Sequence, residues 1–277
     1  MKKFILIIIT SSFLLSCRQE YKRTVYYPSG KVKSETIYAS EKEMELRQNY
    51  SAIYYYENGN IEAKKTVRNG MLEGDAWMFY ENGGVDEFHM YQHDTRHGIY
   101  KKYDTDGKQI FEALYLNGAR ALHADIEYEN DTFYYQYYMY INDSLIFPYG
   151  YRTYDKNREI IGELSHACEV IGKDTIDKEK PYDIEIRLHT QHSKEEFQLK
   201  VLYAEFGDFN YKFEVIDSTS ITIVNADNDK IFYSFYPKQA GYNFLTGNLF
   251  TRYTHLESNN TFSEIYPVYK LFYVKEK

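Results

Sequence analysis

Eight histidines and two cysteines are the side chains best suited to hold a metal or attack a substrate in this 277-residue sequence. His89, His93 and His97 recur every fourth residue, which lines up metal ligands on one face of a helix. Their neighbours argue for a hairpin instead. If positions 92–95 form its turn, Tyr91 pairs with Arg96, and His89 and His97 project from opposite faces. Exposed hairpin histidines are then expected, not a metal set. His189 and His192 flank a turn and have no third ligand near them in sequence. Cys168 follows His166 by two residues, and a thiol nucleophile needs such a base within reach. No flanking nucleophile signature accompanies it, so Cys168 reads as a small buried apolar residue. Asp227-Asn228-Asp229 lacks the ordered oxygen ligands of a calcium loop and reads as a hairpin turn. No phosphate-binding loop, Gly-x-Ser-x-Gly, dinucleotide fingerprint or His-Glu-x-x-His occurs. The sequence therefore points to no catalytic residue, no metal and no cofactor.

What must position these groups is a β-rich chain. Hydrophobic residues make 43% and charged residues 27%, which excludes wholesale disorder. A net charge of −8 excludes a nucleic-acid groove, which needs clustered Lys and Arg. Two cysteines cannot make a disulfide scaffold. The 32 tyrosines, against 17 phenylalanines and one tryptophan, favour strands over helices. Tyrosine also combines a flat apolar face with one hydroxyl, a composition common at binding surfaces.

The N-terminus reads MKKFILIIITSSFLLSC. Lys2 and Lys3 precede an apolar run, Phe4–Leu15, too short for the roughly 20 residues that cross a bilayer. The run ends in Leu14-Leu15-Ser16-Cys17, which resembles the lipobox of bacterial lipoproteins. The resemblance implies cleavage after residue 16 and acylation of Cys17, with palmitate-type chains. It leaves 261 residues with a charge of about −10, and Cys168 as the only thiol. Several acyl chains on one cysteine anchor firmly, at ~0.8 kcal/mol per buried CH₂. The expected location is the cell envelope, membrane-anchored, with the outer membrane favoured.

An internal repeat follows. Tyr26-Tyr27-Pro28-Ser29-Gly30, Tyr55-Tyr56-Glu57-Asn58-Gly59, Phe79-Tyr80-Glu81-Asn82-Gly83 and Tyr103-Asp104-Thr105-Asp106-Gly107 align, with glycines 29, 24 and 24 residues apart. Eight positions on stand Tyr38, Val67, Tyr91 and Tyr115. Eleven on stand Glu41, Gly70, Asp94 and Gly118. Gly74 and Gly98 lie fifteen beyond the middle two glycines. The first interval carries five extra residues around Glu41–Asn49. Ser-Gly, Asn-Gly and Asp-Gly supply the positive φ of tight turns, so each unit is expected to be one β-hairpin. A lone hairpin is barely stable in water; stacked ones bury aromatics at each seam.

These tracts, with Asn69-Gly70 and Met71-Leu72-Glu73-Gly74-Asp75-Ala76-Trp77, resemble the MORN repeat in the variant form of bacterial YwqK antitoxin-like proteins. The resemblance covers residues 21–118, with degraded first and last units. It implies a single-layer, elongated β-sheet used for protein–protein or membrane-surface contact, and no catalysis. Within it, Tyr55, Tyr56, Trp77, Phe79, Tyr80 and Tyr91 are the expected seam and interaction aromatics. Gly30, Gly59, Gly70, Gly83, Gly107 and Gly118 are the expected turn residues.

Past about Arg120 the glycine period stops while strand signals continue. Thr132–Ile141 is aromatic on both faces. Asp183–His189 and Phe209–Ile216 alternate cleanly. Phe197–Phe206, Ile221–Asn225, Lys230–Tyr236, Asn243–Tyr253 and Ile265–Val274 complete about eight strands, which read as an antiparallel sandwich or barrel. Arg158–Val170 is the one candidate helix, and Gly172–Pro181 a charged loop. The expected organisation is a signal at 1–16, MORN-like hairpins at 17–118 and an antiparallel β-sandwich-like domain at 119–277, all-β throughout. The expected function is that of a non-enzymatic, lipid-anchored platform, monomeric, with a protein partner and no nucleic acid. The alternative is a glycan- or peptidoglycan-binding lipoprotein. An envelope enzyme is the third reading. It requires a pocket in the second half that brings His166, Cys168 or His189 within reach of carboxylates.

Overall fold

A computed structural model describes residues 21–142, 145–162, 165–207, 214, 216–227, 230–237 and 239–276. The expected signal and Cys17, most of the expected Phe209–Ile216 strand and the expected Asn228-Asp229 turn lie outside these residues. Among the described residues no helix is long and apolar enough to cross a membrane.

The first half is a meander. Strands β1 (Tyr21–Tyr26) and β2 (Val32–Tyr38) are followed by a short helix α1 (Glu41–Leu46), then by β3 (Tyr50–Tyr55) and β4 (Ile61–Arg68). Next come β5 (Met71–Leu72), β6 (Gly74–Phe79), β7 (Val85–Gln92), β8 (Thr95–Arg96), β9 (Gly98–Tyr103) and β10 (Gln109–Leu116). They pair in the order β1-β2-β3-β4-β6-β7-β9-β10, with β5 on β4 and β8 on β7.

Two turn chemistries alternate along it. At the tract turns the glycine N–H donates back three residues, Gly59 to the Tyr56 carbonyl at 2.9 Å and Gly83 to that of Tyr80 at 2.8 Å. Gly30, Gly59, Gly83 and Gly107 all hold φ between +81° and +96°, which a side chain disfavours. The opposite turns are two-residue loops with positive φ at both positions: Asn69-Gly70, His93-Asp94 and Asn117-Gly118. In the first unit the extra residues fold into α1 instead. Ser40 caps its N-terminus by accepting from the Glu43 N–H, and Arg47 closes it at φ 55°.

Each hairpin also carries a β-bulge three residues past its tract glycine, at Lys33, Glu62, Asp86 and Ile110. Val25 pairs with Ser34 but Tyr26 with Val32, and the same slip recurs in the other three.

The ladder does not stop where the glycine period does. Position 118 is the second residue of a hairpin turn. The sheet runs on through β11 (Ala119–Glu129), β12 (Thr132–Asn142) and β13 (Leu145–Tyr154).

The rest of the chain forms two facing sheets from β14 (Ala167–Gly172), β15 (Thr175–Asp177), β16 (Tyr182–His189), β17 (Phe197–Phe206), β18 (Thr222–Asn225), β19 (Lys230–Phe235), β20 (Gly241–His255) and β21 (Thr261–Lys275). One sheet is β14-β16-β19; the other is β15-β21-β20-β17-β18. Ile184, Ile186 and Ile231 of the first meet Phe206, Leu249 and Val268 of the second in a buried core. Ring pairs bind the layers, with Tyr182 on Phe272 at 4.1 Å and Phe206 on Tyr233 at 4.4 Å. The architecture is thus all-β, a hairpin-repeat sheet followed by a sandwich-like pair of sheets.

Two local expectations are corrected. The described residues of Arg158–Val170 form no α-helix: Ile160 and His166 bridge to Tyr154 and Tyr151, and β14 starts at Ala167. Pairing partners on β13 and β16 override its helical pattern. The 172–181 segment is not wholly loop, because Thr175–Asp177 pairs in parallel with β21.

The halves meet where Met90, Ile99, Leu114 and Leu122 pack with Phe244, Tyr269 and Leu271.

Candidate functional site

The repeat aromatics sit at seams. Tyr56 donates its hydroxyl to the Phe79 carbonyl and Tyr80 to the Tyr103 carbonyl, each at 2.7 Å. Tyr55 donates to Glu35 Oε2 at 3.1 Å, across to a neighbouring strand. Trp77 lies on Phe88 at 4.5 Å, and Lys64 places its ammonium 5.6 Å from the Phe79 ring centre. Tyr91 pairs with Arg96 in register, which sends His89 and His97 to opposite faces.

Those histidines are not exposed as expected. His89 is 2% exposed and bonded to Glu87 at 2.9 Å, with Tyr100 donating to the other Glu87 oxygen at 3.1 Å. Burial lowers the His89 pKa, outweighing Glu87. The reason is a row of rings across the sheet: His89–Tyr100, Tyr100–Phe111, Phe111–His123 and His123–Tyr138 stand 4.7, 5.8, 5.3 and 4.7 Å apart. On the other face His97 meets the Phe244 ring edge-on at 5.1 Å. His93, at the turn, is exposed. No metal set forms from these three.

A cleft of about 760 Å³ opens at the junction of the halves, with Arg68, Asp75, Tyr91, His97, Tyr242 and Phe244 in its walls. Tyr242 donates to Asp75 Oδ2 at 3.4 Å, while the buried Oδ1 has no hydrogen-bond partner. Burial raises the Asp75 pKa against that bond. The cleft thus presents a polar, poorly solvated carboxylate beside aromatic faces.

A second cluster lies in the sandwich, built from residues far apart in sequence. His166 precedes β14, His192 sits in the β16–β17 loop, and Glu264 and Tyr266 lie on β21. His192 Nε2 is 3.0 Å and His166 Nε2 3.4 Å from the same oxygen, Glu264 Oε1. Tyr266 donates to Glu264 Oε2 at 2.6 Å and its oxygen is 3.0 Å from His166 Nε2. Burial would raise the Glu264 pKa, but hydrogen bonds from His166, Tyr266 and His192 bring it down to about 2. Burial and Glu264 push the Tyr266 hydroxyl well up.

His192 also lines a cavity of about 720 Å³ with His189, Phe197, Leu199 and Tyr253. His189 bonds Glu169 at 3.1 Å, which meets the geometric condition of the envelope-enzyme reading for His189, while Cys168 lies outside the cavity wall. The sequence paired His192 with His189, but the fold brings it to His166 and Glu264. No local signal marks this convergence, since 72 residues separate His192 from Glu264.

Cys168 stands apart from that chemistry. It is 2% exposed in the sandwich core and its Sγ contacts the Pro267 carbonyl at 3.5 Å. Burial raises its pKa, which disfavours the thiolate a nucleophile requires.

The fold and its seam bonds define a hairpin-repeat protein joined to a β-sandwich. The repeats are of a known kind: the MORN repeat variant matches residues 20–39, 51–69 and 96–117. The third of these segments covers β9 and β10, and β6–β7 forms an equivalent hairpin between the second and third. No curated protein matches the chain.

Proposed function

We propose that this chain is a non-enzymatic cell-envelope lipoprotein of the YwqK antitoxin-like kind, anchored through Cys17, whose hairpin sheet is a platform for a protein partner. The carrying observation is the openness of the first two hairpins. Among residues 21–68 only Tyr38, Ala52 and Val67 are buried, and the apolar Val25 and Tyr26 are exposed. Such a sheet keeps both faces available for contact, while its seams supply its stiffness.

The test has two arms. Replacing Cys17 with Ala should release the protein from membranes. Cross-linked capture from native membranes should yield a partner that is lost in a Val25→Ser/Tyr26→Ser variant of unchanged melting temperature. Capture indifferent to that variant would defeat the platform reading.

The glycan alternative draws on the junction cleft, where Tyr91 and Tyr242 flank Asp75 and Arg68. Flat rings beside paired polar groups suit a sugar. Retention on a polysaccharide matrix, abolished by Tyr242→Ala, would favour it over the platform.

A further inference from the structure

We propose that His166, His192 and Glu264 form a binding site for one divalent transition-metal ion, with Zn²⁺ the best-suited ion. This goes beyond the platform reading and does not depend on it. Two imidazole nitrogens and one carboxylate oxygen are a donor set that zinc favours. The three atoms lie within 4.8 Å of one another. Ligands about 2.0–2.1 Å from a tetrahedral zinc stand about 3.3 Å apart. The His192–Glu264 and His166–Glu264 separations, 3.0 and 3.4 Å, bracket that edge.

The ring arrangement fits as well. The His166 and His192 planes cross at 89° with centroids 5.3 Å apart. Their Nε2 atoms converge on one oxygen without the rings stacking. Tyr266 supplies the outer support: by donating to Glu264 Oε2 it fixes the carboxylate and leaves Oε1 for the ion.

Access is available too. The three side chains retain 21, 21 and 23% exposure, so an ion can enter. His192 shares its place with the wall of the 720 Å³ cavity. With three protein donors, a four-coordinate ion keeps one position for water or for a donor atom from a bound ligand.

The test uses the full chain, purified without a histidine tag. Titration with Co²⁺ should give a visible d–d band that saturates at one ion per chain and is displaced by Zn²⁺. His192→Ala and Glu264→Gln should remove the band. Tyr266→Phe should weaken Zn²⁺ binding by about 10-fold, as loss of an outer-shell partner does. His93→Ala, at an exposed turn, should change nothing.

X-ray absorption on the Zn²⁺-loaded wild type needs no variant and should show two imidazoles. Absence of a saturable band, a band that survives both ligand variants, or a zinc shell without imidazole would overturn the proposal.

Discussion

Tyr56 donates its hydroxyl to the main-chain carbonyl of Phe79, 23 positions on, at 2.7 Å. Tyr80 repeats the bond to Tyr103 at the same separation and distance, and Tyr27 to Tyr55 at 2.6 Å across the longer first unit. The second aromatic of each of these tracts thus ties its hairpin to the next. Tyr56→Phe and Tyr80→Phe keep the ring and delete the tie, the second also removing the Tyr80 hydroxyl's interaction with Asp86. Each should cost about 1 kcal/mol, and because the Tyr56 tie ends on the peptide that leads into Tyr80, the double variant should depart from the sum. Urea midpoints measure this; two unchanged midpoints would show the ties to be incidental.

Turn glycines separate backbone strain from crowding. A Cβ at Gly59 meets nothing within 4 Å, so Gly59→Ala pays only for φ +96°, about 1–2 kcal/mol. At Gly98, φ is +116° and a Cβ would stand 2.9 Å from Met90 Sδ and 3.0 Å from Phe244 Cζ. Gly98→Ala should therefore lose a further ~1–3 kcal/mol from overpacking where the halves meet. Equal losses at the two sites would contradict this packing.

Buried and half-buried histidines make the fold acid-sensitive. Burial lowers the pKa of His89, His97 and His123 below 6.5 in the folded chain. Between the folded and unfolded values the unfolded state binds more protons, so stability rises with pH and is lost as pH falls below about 6.5. Glu264 adds a loss further down, as pH falls from 4.5 towards 2. Urea midpoints should thus begin to decline near pH 6.5, before carboxylates titrate. Replacing His123 with Phe should flatten the upper part of the decline. A flat profile from pH 7 to 5 in the wild type would refute it.

Thiol counting tests two residues at once. Cys168 is buried, so the native protein should not react with a thiol reagent at this position, and should react once on unfolding. If Cys17 is acylated, the unfolded total is one thiol per chain. A total of two would remove the lipid from Cys17, and rapid native reaction at Cys168 would contradict its burial.

The repeat was legible because its turns demand glycine: the column at 30, 59, 83 and 107 and the Asn69-Gly70 and Asn117-Gly118 pairs announce positive φ in residue type. Even the opposite faces of His89 and His97 followed from placing one turn. Most of what stayed hidden has no residue signature. Bulges fall on Lys33, Glu62, Asp86 and Ile110, one basic, two acidic and one apolar residue, so no single residue type marks the column. Residues 119–154 continue the sheet without the glycine period, using Asn130 at φ 53° for a turn. The Ser40 cap of α1 stands just before the extra residues Glu41–Asn49 and does carry a signature, Ser-x-x-Glu over Ser40–Glu43, which the repeat reading does not use. The His166–His192–Glu264 cluster depends on how three separate elements converge, and periodicity carries no information about contacts between sheets.

The bulges turn the repeat into a counter of angle. A bulge bends its strand and adds to the local twist, and here one falls at the same step of each of four hairpins. Every unit therefore contributes its own rotational increment, like threads on a screw. Deleting one whole unit would re-aim the first strand relative to the sandwich by that increment, whereas lengthening a hairpin tip would leave the aim unchanged. The number of repeats then sets a direction as well as a length.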